Sequence, residues 1–164
     1  MVWVRSDYAG ELAVVSAWLS ALLPWSVTVI DREFGVLAIR FVFFRIQYLY
    51  RLELPNTNPF LWVFAAPAYE GTAGLKLASW VWLGGAAVVA LALLLSVAYY
   101  AAEERVEALP VDPVRLMGGL LGLAALVHTG ALVLFWRHQL GLTVPVGLVV
   151  MWLLAGSLLR VERA

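Results

Sequence analysis

The chain of 164 residues contains no cysteine, which excludes disulfides, thiolate-held metals and thiol nucleophiles. Charge is scarce as well. Only 13% of residues are Asp, Glu, Lys or Arg, against about 25% in an ordinary soluble domain. The two signs cancel to a formal net charge of zero, so the whole chain is not expected to capture nucleic acid electrostatically. The sequence has no phosphate-cradling glycine loop, no nucleophile elbow and no metal-ligand spacing. No catalytic residue, metal or cofactor is therefore assigned from it.

Apolar surface takes the place of charge. Hydrophobic residues make up 63% of the chain and the mean hydropathy is +0.89. The longest stretch, Leu77–Ala102, carries no charge between Lys76 and Glu103. At about 1.5 Å per helical residue it exceeds the roughly 20 residues that cross a bilayer core. Three further charge-free runs, Leu12–Ile30, Leu116–Trp136 and Gln139–Leu159, surround it. The fold class expected from these runs is membrane α-helical, a four-transmembrane-helix bundle with spans at about 8–25, 73–102, 113–136 and 142–160. Arg5, Asp7 and Glu11 make a mixed flank before the first run, and no small-x-small site follows it. That run is expected to stay as the first span rather than be cleaved.

Residues 26–72 follow a different rule and read as a β-rich insertion between the first two helices. Ser26–Ile30 is β-branched, and Leu37, Ile39 and Phe41 alternate with their neighbours. From Phe44 the phase changes, so that Phe44, Ile46, Tyr48 and Tyr50 alternate with Arg45, Gln47 and Arg51. Period-two alternation marks half-buried strands, and the flip near Phe43 marks a turn or bulge. A further strand is expected within Phe60–Ala66. An open sheet edge cannot face lipid. The sheet is therefore expected outside the bilayer, with its aromatic face turned toward the helix ends.

Helix signals frame the spans. Thr72 is placed to cap the second, Asp112-Pro113 to start the third, and Tyr99 and Tyr100 to mark an interface. Ala13, Ala17 and Ala21, flanked by Ser16 and Ser20, form one small face, and Gly118 and Gly122 form a GxxxG pair. Small faces let helices approach closely in lipid, here within the bundle or at a homodimer seam. With the sheet arginines set aside, Arg5, Arg105, Arg115, Arg160 and Arg163 outweigh Arg32, Lys76 and Arg137. This balance orients both termini to the cytoplasm and the sheet outside, at the plasma membrane.

The opening MVWVRSDYAGEL and the segments Ser96–Glu107 (SVAYYAAEERVE) and Val111–Leu116 (VDPVRL) resemble an uncharacterised family of small membrane proteins from halophilic archaea. The resemblance covers most of the chain and implies an archaeal plasma membrane, with no known activity. The order of elements, together with Leu61-Trp62, is similar to the claudin-like tetraspan layout. The paired loop cysteines of that layout are missing, so the similarity is one of architecture only.

The candidate sites are few. His128 is the one ionisable side chain inside a span. It reads either as a hydrogen-bonded bundle residue near Thr129 or as a haem ligand. Glu103, Glu104 and Glu107 form an acidic group at a helix end, a solvated extension or a cation site short of converging ligands. Arg40, Arg45 and Arg51, set among Phe44, Tyr48 and Tyr50, fit a partner-binding face better than a nucleic-acid platform. The expectation is a non-catalytic structural or interaction subunit. Its partners are the lipid bilayer and a membrane protein or a second copy, engaged through Arg45, Tyr48, Arg51 and Trp62. A haem-binding or redox subunit using His128, or a component of an oligomeric channel, is the alternative.

Overall fold

The computed structural model describes residues 8–31, 35–50, 59–102, 111–139 and 141–160. Among them the chain runs α1 (Ala9–Leu22), β1 (Ser26–Asp31), β2 (Gly35–Arg40), β3 (Phe44–Leu49), β4 (Phe60–Trp62) and α2 (Ala66–Tyr69). It continues through α3 (Ala73–Ala101), α4 (Pro113–His138), β5 (Leu142–Val144) and α5 (Val146–Arg160). By length and composition α3 and α4 suffice to cross a membrane, while α1 and α5 are shorter apolar helices.

The long helices start where their caps dictate. The Thr72 side chain accepts from the Leu75 amide, and Asp112 accepts from the Val114 amide at 2.9 Å with Pro113 beginning α4. Each cap satisfies one of the amides that a helix start leaves unpaired. The helices then pack through their smallest residues. Ala13, Ala17 and Ala21 of α1, Ala78, Ala86 and Ala92 of α3, Ala124, Ala125 and Ala131 of α4 and Ala155 of α5 are all buried. Large apolar side chains divide between the core, where Trp82, Leu121, Phe135 and Leu158 are buried, and the outside, where Leu94, Tyr100, Leu126 and Leu153 are exposed. The alanine face of α1 is used up inside this bundle, which leaves no homodimer seam on it.

Two glycines show how closely the helices approach. A Cβ at Gly85 would lie 2.5 Å from the His128 ring, and one at Gly118 would lie 2.9 Å from the Leu158 Cβ. Gly122 faces the Ala155 Cβ at a looser 3.8 Å, so the Gly118–Gly122 face receives α5.

The same contacts set relative depth. Gly74 backs onto His138 and Gly85 onto His128, so α3 and α4 run antiparallel along their lengths. Helix α1 starts beside Tyr99, at Gly10, and leads to Trp25, whose ring lies edge-on to His128 at 5.2 Å. Helix α5 begins where the Gly147 amide donates to the Pro24 carbonyl at 2.9 Å, and it descends to Gly118. Both short helices therefore cover only the part of the α3–α4 pair remote from Lys76 and Arg137.

The sheet takes the remaining part. Its order is β4-β3-β2-β1-β5, antiparallel throughout. The phase flip near Phe43 is a tight turn, closed by the Phe41 amide on the Phe44 carbonyl at 2.8 Å. Val42 at its tip is fully buried, and its carbonyl accepts from Trp82 Nε1 at 2.9 Å. The sheet is not confined to the insertion after α1. Its fifth strand, β5, comes from the link between α4 and α5 and pairs with β1 through Thr28 and Thr143. These residues occupy the beginning of the stretch that sequence alone assigns to a fourth helix. The β-branched Thr143 and Val144, followed by Pro145, favour extended backbone there.

Substitution Gly85→Ala is expected to destabilise the fold by about 1–3 kcal/mol, the usual cost of overpacking. Gly119→Ala, where a Cβ meets nothing within 4 Å, should leave the thermal midpoint unchanged or slightly raised. Paired melting curves in mild detergent check this.

Candidate functional site

Strand register sorts the sheet's side chains into two faces. The inner face carries the rows Ser26–Arg40–Arg45–Leu61 and Thr143–Thr28–Ala38–Gln47. The outer face carries Val144–Val27–Ile39–Ile46–Phe60 and Leu142–Val29–Leu37–Tyr48, with Phe44 opposite Trp62. The aromatic residues of the strands are thus turned away from the helices, and the arginines and threonines toward them together with the aliphatic row Ile30–Val36–Leu49, the reverse of the expected aromatic orientation.

The inner face explains the reversal. Arg40 is 1% exposed. Its Nη1 donates to Thr28 Oγ1 at 2.6 Å and its Nη2 to Gln139 Oε1 at 2.7 Å, while the guanidinium lies 4.2 Å over the Phe135 ring. Thr28 and Thr143 hydroxyls bond each other at 2.8 Å. Directly across the strand, Arg45 donates to Glu70 Oε1 at 2.9 Å and sits 5.4 Å from the Tyr69 ring. A planar cation on an aromatic ring suits Arg rather than Lys. Turning these groups outward would leave Phe135 and Glu70 without their partners and would break the seam.

The residues proposed from sequence as one partner face therefore separate. Tyr48 (63% exposed) and Trp62 (49%) lie on the outer face, whereas Arg45 (5%) is buried on the inner one. Arg45 is corrected from a surface contact to a seam residue: its charge is neutralised within the chain. Arg51 and the acidic group Glu103, Glu104 and Glu107 lie outside the described residues. Sequence reasoning missed Thr28, Glu70, Gln139 and Thr143. The one available signal was that a charge-poor chain places two arginines symmetrically about the Val42-Phe43 turn, where register makes them neighbours.

The outer face is apolar and open. Leu142, Tyr48, Trp62 and Phe64 are exposed, and Phe44, Phe60, Trp62 and Phe64 form a chain of ring contacts with centroids 4.9–6.2 Å apart. Each neighbouring pair stacks or meets edge-on.

His128 sits deep in the bundle at 0% exposure. Its Nδ1 lies 2.8 Å from the Ala124 carbonyl. A carbonyl only accepts, so Nδ1 carries the proton. Nε2 has no partner among the described residues. Thr129 bonds instead to the Ala125 carbonyl at 2.7 Å. Gly85 and the Trp25 ring pack directly on the imidazole. Among the described residues no group of His, Asp or Glu converges as a metal site.

The chain belongs to a family of unknown function, DUF7549, whose match covers residues 2–163. No curated protein matches it.

Removing one partner of the Arg45–Glu70 pair leaves a buried charge without its counter-ion, at a cost of about 3–5 kcal/mol. Glu70→Gln should therefore lower the unfolding midpoint sharply. The double variant Arg45→Met/Glu70→Leu should recover much of that loss. Denaturant unfolding of the three proteins, read as a double-mutant comparison, tests the seam.

Proposed function

We propose that this chain is a non-catalytic integral membrane protein, a four-helix bundle whose β-sheet serves as its interaction element. The observation that carries the reading is the extent of large apolar surface left outside the helices. Alanine, glycine and serine bring the helices together beside buried Trp82, Leu121, Phe135 and Leu158, yet Trp80, Leu91, Leu94, Leu126 and Leu153 still face outward. In water this outward surface would forfeit its apolar burial. In lipid the outward leucines cost nothing and small residues bring the helices into contact. The lipid bilayer is thus the first partner. By the balance of basic residues the termini face the cytoplasm and the sheet lies outside.

The apolar aromatic outer face supports a structural or accessory role in which Tyr48 and Trp62 contact a second membrane protein. The setting we propose is the plasma membrane of halophilic archaea, as the sequence resemblance implies. The claudin-like order of one helix, a sheet and three further helices adds an analogy of layout. The packing around His128 gives the haem reading no support.

Tyr48→Ser and Trp62→Ser are expected to abolish co-purification of a partner at fixed stoichiometry while melting curves stay within a few degrees of the parent. Native mass spectrometry of the tagged protein, extracted from its own membrane in mild detergent, reads both outcomes. Undiminished association in both variants, or a bare homo-oligomer in the parent, would sink the accessory role.

A further inference from the structure

We infer that the base of the β-sheet lies within the outer hydrocarbon layer of the bilayer. There it completes the crossings that α1 and α5 leave unfinished, with the part of its outer face around Phe64 and Val144 against lipid chains, beside the partner contact proposed for Tyr48 and Trp62. The inference rests on the membrane reading above and goes beyond it in naming what covers that part of the face.

Two of the four bundle helices are too short to cross a bilayer. On α4 the charge-free residues Leu116–Trp136 lie between Arg115 and Arg137 and extend about 31 Å, close to the roughly 30 Å of a hydrocarbon core. Helix α1 has 14 residues and α5 has 15, which gives each only about 21–22 Å. Both are anchored at the far end, α1 beside Tyr99 and α5 beside Gly118. Their shortfall is therefore collected at one end, on the side of Lys76 and Arg137.

What fills it is the sheet. Trp25, just past α1, packs on His128, which lies about 13 Å below Arg137 along α4. The turn at Val42 is bonded to Trp82, about 9 Å below Lys76 along α3. Arg40 lies over Phe135, two positions before Arg137. Strands rise about 3.3 Å per residue, so Phe41–Phe44, Trp62–Phe64, Val27 and Val144 fall below the level of the flanking cations. Tyr48 comes out at that level.

The chemistry changes with the same boundary. Every residue in the two outer rows is apolar or aromatic, and no charge interrupts them. The exposed surface continues from Val144 onto Val146, Val149 and Trp152 of α5 without a polar break. The arginines at this depth, Arg40 and Arg45, are on the inner face, covered by the sheet itself.

Sheet edges are the standing objection to β-structure in lipid, because their backbone groups lack partners. Here the edge strands β4 and β5 have three residues each. The Thr143 carbonyl on β5 accepts from Trp136 Nε1 at 2.9 Å, so the group is satisfied without water.

The absence of cysteine makes the test direct. Single variants Phe64→Cys, Val144→Cys, Leu94→Cys and Gly71→Cys would be spin-labelled and the full chain reconstituted into phosphatidylcholine nanodiscs. Leu94, exposed on α3 about 27 Å below Lys76, is the reference on the helix surface, and Gly71 opens onto empty space beside the sheet. Collision with oxygen and with a water-soluble nickel chelate is then compared at each site. Phe64 and Val144 should match Leu94, with nickel collisions at least several-fold below those at Gly71. Nickel access equal to Gly71 would overturn the inference. Protection from both reagents would also overturn it, because protein rather than lipid would then cover the face. Nickel access at Leu94 itself would mean that the membrane reading fails, a separate result. Val144→Ser, labelled at Phe64→Cys, guards against local distortion: oxygen-rich access should persist there.

Discussion

Two arginines decide how this molecule is put together. Arg40 and Arg45 are neighbours across β2 and β3, and both are buried. A buried guanidinium needs its hydrogen bonds met and its charge answered. Thr28, Gln139 and the Phe135 ring serve Arg40, while Glu70 serves Arg45, and the Nε of each has no partner among the described residues. Those partners come from β1, the end of α4 and the residues just before α3. Once the arginines face inward, strand alternation and register force Phe44, Ile46 and Tyr48 outward with Ile39, Leu37, Val27 and Val29. The sheet's orientation, its attachment to the bundle and its open apolar face all follow from that one seam.

The bundle also carries an apolar outer surface. Its helices approach through alanine and glycine, with Trp82, Leu121, Phe135 and Leu158 packed among them, and still display Trp80, Leu94, Leu126 and Leu153. A water-soluble α/β protein would not leave such large apolar groups outward on both layers. The two layers were built from unrelated sequence patterns, 3.6-residue in the helices and two-residue in the strands. That they share one polarity, apolar outward, is what supports the proposed lipid setting more than the length of any helix.

Much of this was legible in the sequence. Alternation in Ser26–Tyr50 marks the strands, because a period of two has few other causes, and the phase change at Phe43 marks the turn. Thr72 and Asp112-Pro113 mark helix starts through side-chain caps. The facing of the sheet was not legible, because alternation gives two faces without saying which is inside. Hydrophobicity pointed the wrong way, since the inner face is the polar one. Strand β5 was hidden for a different reason. Three residues in a loop form a strand only because β1 offers an edge, and that pairing joins residues 115 positions apart. Trp62 and Tyr48 were identified as surface residues, yet Arg45 was grouped with them, because register rather than sequence proximity separates Arg45 from Tyr48.

The central claim is that the outward apolar surface belongs to lipid. Extraction of native membranes with alkaline carbonate tests it most directly. The account predicts that the full-length chain stays in the membrane pellet and is released only by detergent. A chain recovered in the supernatant, monodisperse and folded without detergent, would contradict it.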